Sequence, residues 1–392
     1  MPVVDLFCGC GGMSSGFQNA GFDIVAAFDH WRPAITCYNR NVDGNHASIL
    51  DLSDVDTAVQ AIVPFNPTVI IGGPPCQDFS NAGTRTEGER ANLTYTYSEI
   101  ITRIMPDYFI MENVPRARES EAYLRARQNY INAGYGLTEV ILDASKCGVP
   151  QKRNRFFCIG ALEAPHGFLL GNIFTHYNNG EVSVRDYFNA QGYPLEIDAY
   201  YRHPTTYARR GVYSVDRASP TIRGVNRPKP PTYNRHPNDE ATEEEMIGVR
   251  HLTNRERAYI QTFPNDFILE GLDISNGNLE QMIGNAVPVL LAEFVARRLS
   301  EYIEGIFMER DTTFADWLKT SKNYTDRTIG DVFSRIRRAQ EILPEQPLNR
   351  YFIADLEETQ AFAELTVDIK SQMRRAIRLR IAFENEPRGD IQ

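Results

Sequence analysis

Short apolar runs at residues 3–7, 24–28, 68–71 and 108–111 are separated by stretches that each leave room for one helix. That alternation predicts an α/β fold, an open and mostly parallel sheet with helices on both faces. Two further β-rich runs, 137–142 and 155–159, are expected to complete the sheet. Such a sheet binds ligands outside the carboxyl ends of its strands, so the residues that end each run are the first to inspect.

At 392 residues the chain is long enough for two or three domains. After Ala161 helical periodicity fades and Gly, Pro, Tyr and Arg become frequent, which predicts a smaller, irregular domain over 162–277. Thr253-Asn254-Arg255-Glu256 has capping-box spacing for a helix through Thr262. From Val289 to about Ile306 the spacing is helical again, with Leu290, Leu291, Phe294, Val295 and Leu299 on one side. Residues 278–306 are therefore expected to rejoin the first domain, 1–161. Residues 311–392, charged, helix-rich and interrupted by Pro344 and Pro347, read as a helical C-terminal module.

Apolar residues at 42% and charged residues at 23% fit a globular enzyme. No apolar run approaches the roughly 18 residues of a bilayer span, and no basic signal-peptide start precedes the first strand, so a cytoplasmic location is expected. The six cysteines show no C-x-x-C spacing; reduced thiols and no metal site are expected. A net charge of −10 argues against a protein basic throughout and leaves nucleic-acid binding to a local surface.

Asp5-Leu6-Phe7-Cys8-Gly9-Cys10-Gly11-Gly12 follows the first run and leads to a helix. Its glycines let the backbone turn tightly and approach a cofactor, although a plain turn fits as well. Asp29 ends the second run, where a carboxylate can accept from ribose hydroxyls. Gly72-Gly73-Pro74-Pro75-Cys76-Gln77 is sharper, because it sets Cys76 at the carboxyl edge on a backbone stiffened by two prolines. There a thiol suits nucleophilic attack better than core filling, the common use of cysteine. Glu112, in Met111-Glu112-Asn113-Val114-Pro115, brings a carboxyl to the same edge or caps the next helix. In Gln151-Lys152-Arg153-Asn154-Arg155, alternation puts Arg153 and Arg155 on one face, as solvated surface or as part of a site. Gly284-Asn285-Ala286-Val287-Pro288 opens the later helix and, alone, is an ordinary helix start.

In combination and order these segments resemble the cytosine-C5 DNA methyltransferase family of bacterial restriction-modification type. The motifs are D-L-F-C-G-C-G-G, G-G-P-P-C-Q-D-F-S, E-N-V, Q-K-R-N-R, R-H-L-T-N-R-E with Q-T-F-P, and G-N-A-V-P, across roughly residues 2–305. The resemblance implies a Rossmann-like S-adenosylmethionine-dependent methyltransferase sheet that methylates carbon 5 of a cytosine in double-stranded DNA and releases S-adenosylhomocysteine. It implies Cys76 as the nucleophile at carbon 6, Glu112 as the acid that holds and protonates N3, Arg155 at O2 and Arg153 as its support. It places the cofactor on Phe7, Gly9, Cys10, Gly12, Asp29, His30, Asp51, Leu52, Gly73, Pro75, Leu93 and Asn285. One departure is His30, where many relatives carry Trp; Trp31 is adjacent. No side chain stands out as base for the carbon-5 proton, which leaves water or hydroxide.

A base inside a duplex must be flipped out, at a cost of a few kcal/mol. The polar, glycine-bearing stretch 78–92, with Ser80, suits a loop that closes over DNA or an ordinary flexible loop. Between Arg202 and Arg235 basic residues dominate, Asp216 is the only acid, and tyrosines are interleaved. That mixture predicts a phosphate-tracking surface, which the resemblance makes the target-recognition segment, with Arg209, Arg210, Arg223, Arg227 and Lys229 as DNA contacts. The C-terminal module has a low-specificity likeness to the helical DNA-clamping domain of tyrosine recombinases. A monomer is expected, with any companion restriction endonuclease a separate protein. The alternatives are an RNA cytosine-C5 methyltransferase, disfavoured by Pro-Cys-Gln-Asp-Phe-Ser, and a non-catalytic DNA-binding regulator, which has no need of a nucleophile at the cofactor edge.

Overall fold

The structure is a computed structural model that describes residues 1–44, 46–75, 92–177, 180–204, 211–227, 232–310, 312–343, 348 and 351–385. The chain divides into two compact units, Pro2–Arg298 and Leu299–Gln392, the latter with Met1.

The first unit opens with β1 (Pro2–Leu6), α1 (Gly12–Asn19), β2 (Asp23–Asp29), α2 (Arg32–Asn41), β3 (Ala47–Ile49), α3 (Val55–Ile62) and β4 (Val69–Gly72). It continues with α4 (Asn92–Ile104), β5 (Tyr108–Asn113), α5 (Glu121–Asn132), β6 (Tyr135–Asp143), β7 (Gln151–Lys152) and β8 (Asn154–Leu162). Among the described residues seven strands form one sheet in the order β3-β2-β1-β4-β5-β8-β6, with β8 antiparallel to both neighbours and the other pairs parallel. The strand order reverses between β1 and β4, the switch point where such sheets bind ligands. Leu6 lies opposite Phe28 and Gly72, and Gly72 opposite Met111. In-register strand ends therefore bring residues 7–9, 29, 73 and 112 to one edge.

Central parallel strands are covered on both faces and so are mostly apolar, as in β4. One face buries Val4, Leu6, Ile70 and Phe109 against Tyr97 and Ile100 of α4 and Tyr130 of α5.

The irregular region holds α6 (Leu170–His176), α7 (Val184–Gln191), β9 (Tyr200–Arg202), β10 (Val212–Ser214), β11 (Ser219–Pro220), α8 (Asn254–Ile260) and α9 (Asn276–Asn285). Its strands of two or three residues are too short to show alternation in sequence. The capping box opens α8 as expected: Thr253 Oγ1 accepts from Glu256 N at 3.1 Å, and Glu256 Oε2 accepts from Thr253 N at 2.8 Å. The next helix, α10 (Val289–Arg310), runs on into the second unit. The stretch Asn276–Gly305 is long and apolar enough to cross a membrane by composition alone, a property that the sequence reading did not register. Its window is 61% buried inside the protein, as in a core helix.

The second unit contains α11 (Thr312–Ser321), α12 (Asp326–Ile342), α13 (Phe352–Glu357), α14 (Gln360–Ala363) and α15 (Val367–Asn385). Its helices pack around Phe314, Trp317, Phe333 and Ile336, and around Phe352, Leu356, Met373 and Ile377.

Candidate active site

The loop after β1 takes the left-handed conformation at Phe7, Gly9 and Gly11. Phe7 pays for this with strain of the kind that gathers at functional sites. A methyl group added at Gly9 would meet nothing within 4 Å, so open space lies over the loop. Gly12 is fixed by packing instead, since a methyl there would stand 2.3 Å from the Val287 carbonyl oxygen. Asp29, buried at the end of β2, accepts from Gly9 N through Oδ2 and from Trp31 N through Oδ1, both at 2.9 Å. Its first task is thus to hold the glycine loop; each oxygen retains a lone pair for a ligand. His30 lies 3.4 Å from Asp29 and is exposed. Asp51, also exposed, is held below the usual carboxylate range by Ser53 N–H and hydroxyl donors, with His30 adding to the effect.

Two residues expected at the cofactor have buried side chains. Cys10 packs with Ala34 and Cys37 and donates to the Met282 carbonyl, so only its backbone is left to face a ligand. Leu52 lies in the sheet core. Leu93 and Pro75 are half-buried and Asn285 is exposed.

Beneath the loop sits a group the sequence reading passed over. Asp5 is 1% exposed, and its Oδ2 accepts from Ser14 Oγ at 2.6 Å, which in turn accepts from Tyr38 OH at 2.8 Å. The signal for it was an acid within an apolar strand. Burial pushes its carboxyl from 3.8 up to about 7. The folded protein therefore keeps a proton that the unfolded chain releases, and stability from this group falls as pH rises from about 4 to about 7. Asp5→Asn should remove that component from a plot of melting temperature against pH; an unaltered slope would show that Asp5 does not titrate there.

Glu112 is 8% exposed at the end of β5, and Arg155 Nε on β8 lies 2.8 Å from its Oε1. Burial raises the Glu112 carboxyl above its ordinary range, while Arg155 and Arg153 pull it back. A methyl at Gly73 would lie 3.2 Å from Glu112 Oε2, and Asn113 Nδ2 donates to the Pro74 carbonyl at 3.2 Å. The turn leading to Cys76 thus rests against this carboxyl. Cys76 and Ser80 lie outside the described residues. The described cysteines, Cys8, Cys10, Cys37, Cys147 and Cys158, are buried free thiols, and burial raises all five, which disfavours the reactive thiolate.

Arg153 has different surroundings from Arg155. At 1% exposure its guanidinium donates to the carbonyls of Ile222, Gly284 and Ala286. The basic segment also divides. Arg202 is buried over the Tyr233 ring and donates to the His203 and Gly211 carbonyls, so it is not a surface contact. Arg217, Arg223 and Arg227 are exposed. Arg209, Arg210 and Lys229 lie outside the described residues.

Arg217, Arg223 and Lys152 line a cleft of about 760 Å³ with His203. Four carboxylates, Glu181, Asp186, Asp216 and Glu240, line the same cleft, with Lys152–Glu181 at 2.9 Å and Arg217–Glu240 at 3.7 Å. Burial first, then Arg223, Arg202 and Arg257, push His203 down to about 3 and keep it neutral.

A sequence profile described as C-5 cytosine-specific DNA methylase matches residues 1–301. The chain is 50% identical over 311 residues to Type II methyltransferase M.HgiDI of Herpetosiphon aurantiacus, covering 79% of this chain and 97% of that one. It is 48% identical over 303 residues to Type II methyltransferase M.HindV of Haemophilus influenzae, covering 77% and 97%. Its fold is similar to the crystal structure of S. pombe Dnmt2 methyltransferase, with a TM-score of 0.60 at 21% identity, covering 78% of this chain and 99% of that one.

Proposed function

Given that the chain belongs to the family of C-5 cytosine-specific DNA methylases, we propose that it is a DNA (cytosine-5-)-methyltransferase acting on one short duplex sequence through a covalent bond from Cys76. The observation that carries this reading is the buried Glu112–Arg155 pair set against Gly73, in the G-G-P-P-C turn that leads in sequence to Cys76.

Cys76 Sγ bonds to carbon 6 of the flipped cytosine, and electron density moves toward N3. Glu112, kept protonatable by burial, supplies the proton there, while Arg155 steadies O2. Carbon 5 becomes nucleophilic and takes the methyl group. Loss of the carbon-5 proton to water then expels the Cys76 thiolate and restores the aromatic ring, and Glu112 recovers its proton. S-adenosylmethionine, when bound, supplies the electrophilic methyl, and the scheme calls on no metal. The open space over Gly9 and the carboxylates of Asp29 and Asp51 at adjacent strand ends suit its ribose and methionine parts.

We assign catalysis and cofactor binding to residues 1–161 and 278–306, target recognition to 162–277, and an accessory role to 311–392, which lies beyond the family match. The resemblance to Type II methyltransferases supports a cytoplasmic monomer that protects host DNA beside a separate endonuclease.

Bisulfite sequencing of DNA from cells expressing the chain should show new 5-methylcytosine in one sequence context, absent from cells with the empty vector. No new 5-methylcytosine in any context, or labelling confined to transfer RNA, would overturn the proposal.

A further inference from the structure

The chain from β11 onward is tied by hydrogen bonds at Ser219, Thr221, Ile222 and Arg223. Ser219 N donates to the Pro150 carbonyl at 2.9 Å, and β11 pairs in parallel with β7. Thr221 Oγ1 donates to the Lys152 carbonyl at 2.8 Å, and Ile222 N donates to Gln151 Oε1 at 2.9 Å. The Arg223 carbonyl accepts from Arg257 Nη2. At Gly284 the packing is backbone on backbone: a methyl there would come within 2.1 Å of the Arg223 carbonyl carbon and 2.2 Å of Gly224 N.

Arg153 is at the centre of this joint. Its Nη1 donates to the Ile222 carbonyl at 3.0 Å, and its Nη2 to the Gly284 and Ala286 carbonyls at 2.9 and 3.1 Å. The last two belong to the C-terminal turn of α9, where the helix dipole favours a cation. A buried cation is costly, the more so as Arg153 Nε has no hydrogen-bond partner among the described residues, and an aliphatic side chain would fill the same volume without that cost. The planar guanidinium does what no aliphatic group can: it ties two distant segments, by their backbones, to the strand that carries Arg155 two residues on. Arg223 meanwhile is exposed and lines the cleft.

We propose that Arg153 is a positioning residue, a buried joint that fixes segment 219–224 and the end of α9 against the catalytic edge, so that Arg223 meets DNA from a rigid mount in register with Arg155. This rests on the DNA-methylase reading above. It predicts that disturbing the joint damages the recognition of DNA more than it damages cofactor binding, which the joint touches only through Asn285 between its two carbonyls.

The test uses the full-length protein with purified duplexes carrying the methylated sequence or that sequence with one flanking pair changed. Arg223→Gln should melt like the wild type and lose about 10- to 100-fold discrimination between the two duplexes, the scale of one lost base contact. Arg153→Met and Gly284→Ala, which disturb the joint from opposite sides, should show the same loss. Each should raise the KM for DNA at least about tenfold, with a clearly smaller loss of S-adenosylmethionine affinity. Arg153→Lys, a point charge without the planar fork, should fall between. If Arg153→Met does not fold, Gly284→Ala decides.

A fall in kcat with KM and discrimination unchanged would make Arg153 a direct participant in the chemistry and overturn the proposal. A loss of cofactor affinity as large as the loss of DNA affinity, or no effect on either, would reduce it to core packing and overturn it as well. Failure of the wild type to methylate DNA would instead defeat the underlying function, which keeps the two failures distinct.

Discussion

Cys76→Ala is expected to lower methyl transfer by roughly 10⁴-fold or more, the scale on which losing a covalent nucleophile leaves only binding and electrostatics. Carbon 5 of cytosine attacks only after sulfur has added at carbon 6, and none of the five described cysteines can substitute, since burial disfavours the thiolate at each. The alanine variant should still bind S-adenosylmethionine and the duplex. A duplex with fluorine at carbon 5 of the target separates the mechanisms directly, because fluorine cannot leave as a proton and the sulfur adduct is held. Wild-type protein should then run as a protein–DNA complex on a denaturing gel, and Cys76→Ala should not. Activity within about tenfold of wild type would end the covalent scheme.

Glu112→Gln comes next in size, with kcat expected to fall by about 10²–10⁴-fold, the range for a positioned acid. Glutamine keeps the shape and a hydrogen-bond donor but has no proton to transfer. The pH profile of the single-turnover rate gives the sign. Burial raises the Glu112 carboxyl, against the pull of Arg155 and Arg153, so the acid form persists above the ordinary range and is lost as pH climbs through the raised value. Thiolate formation at Cys76 runs the other way, so the wild type should show two limbs. Glu112→Gln should lack the alkaline limb set by the acid and keep a rate that only rises with pH. An identical profile in both proteins would assign the proton to another group.

Much of the sheet was legible because its evidence is local. Apolar runs at 3–7, 24–28, 68–71 and 108–111 overlap β1, β2, β4 and β5, with their boundaries shifted by a residue or two. The capping box at Thr253 was legible for the same reason, as both partners lie within one turn. Strands β3, β7, β9, β10 and β11 were missed because two or three residues show no period. Helices α6, α7 and α9 were hidden in a region dominated by glycine, proline and tyrosine.

For the site, the sequence by itself determined which chemical groups stand at strand ends, since a strand's last residue is a local fact and in-register parallel pairing carries Asp29, Gly73 and Glu112 to one edge. Tertiary structure alone decided which cations meet solvent. Arg153 and Arg155 look alike two residues apart, yet one is buried against carbonyls 69, 131 and 133 positions away and the other stands beside Glu112. Arg202 and Arg223 part in the same way, and Glu181 and Glu240 enter the cleft from outside the basic segment. The reason is physical: periodicity records what a residue's near neighbours require, whereas the desolvation of a charge depends on every segment that folds over it.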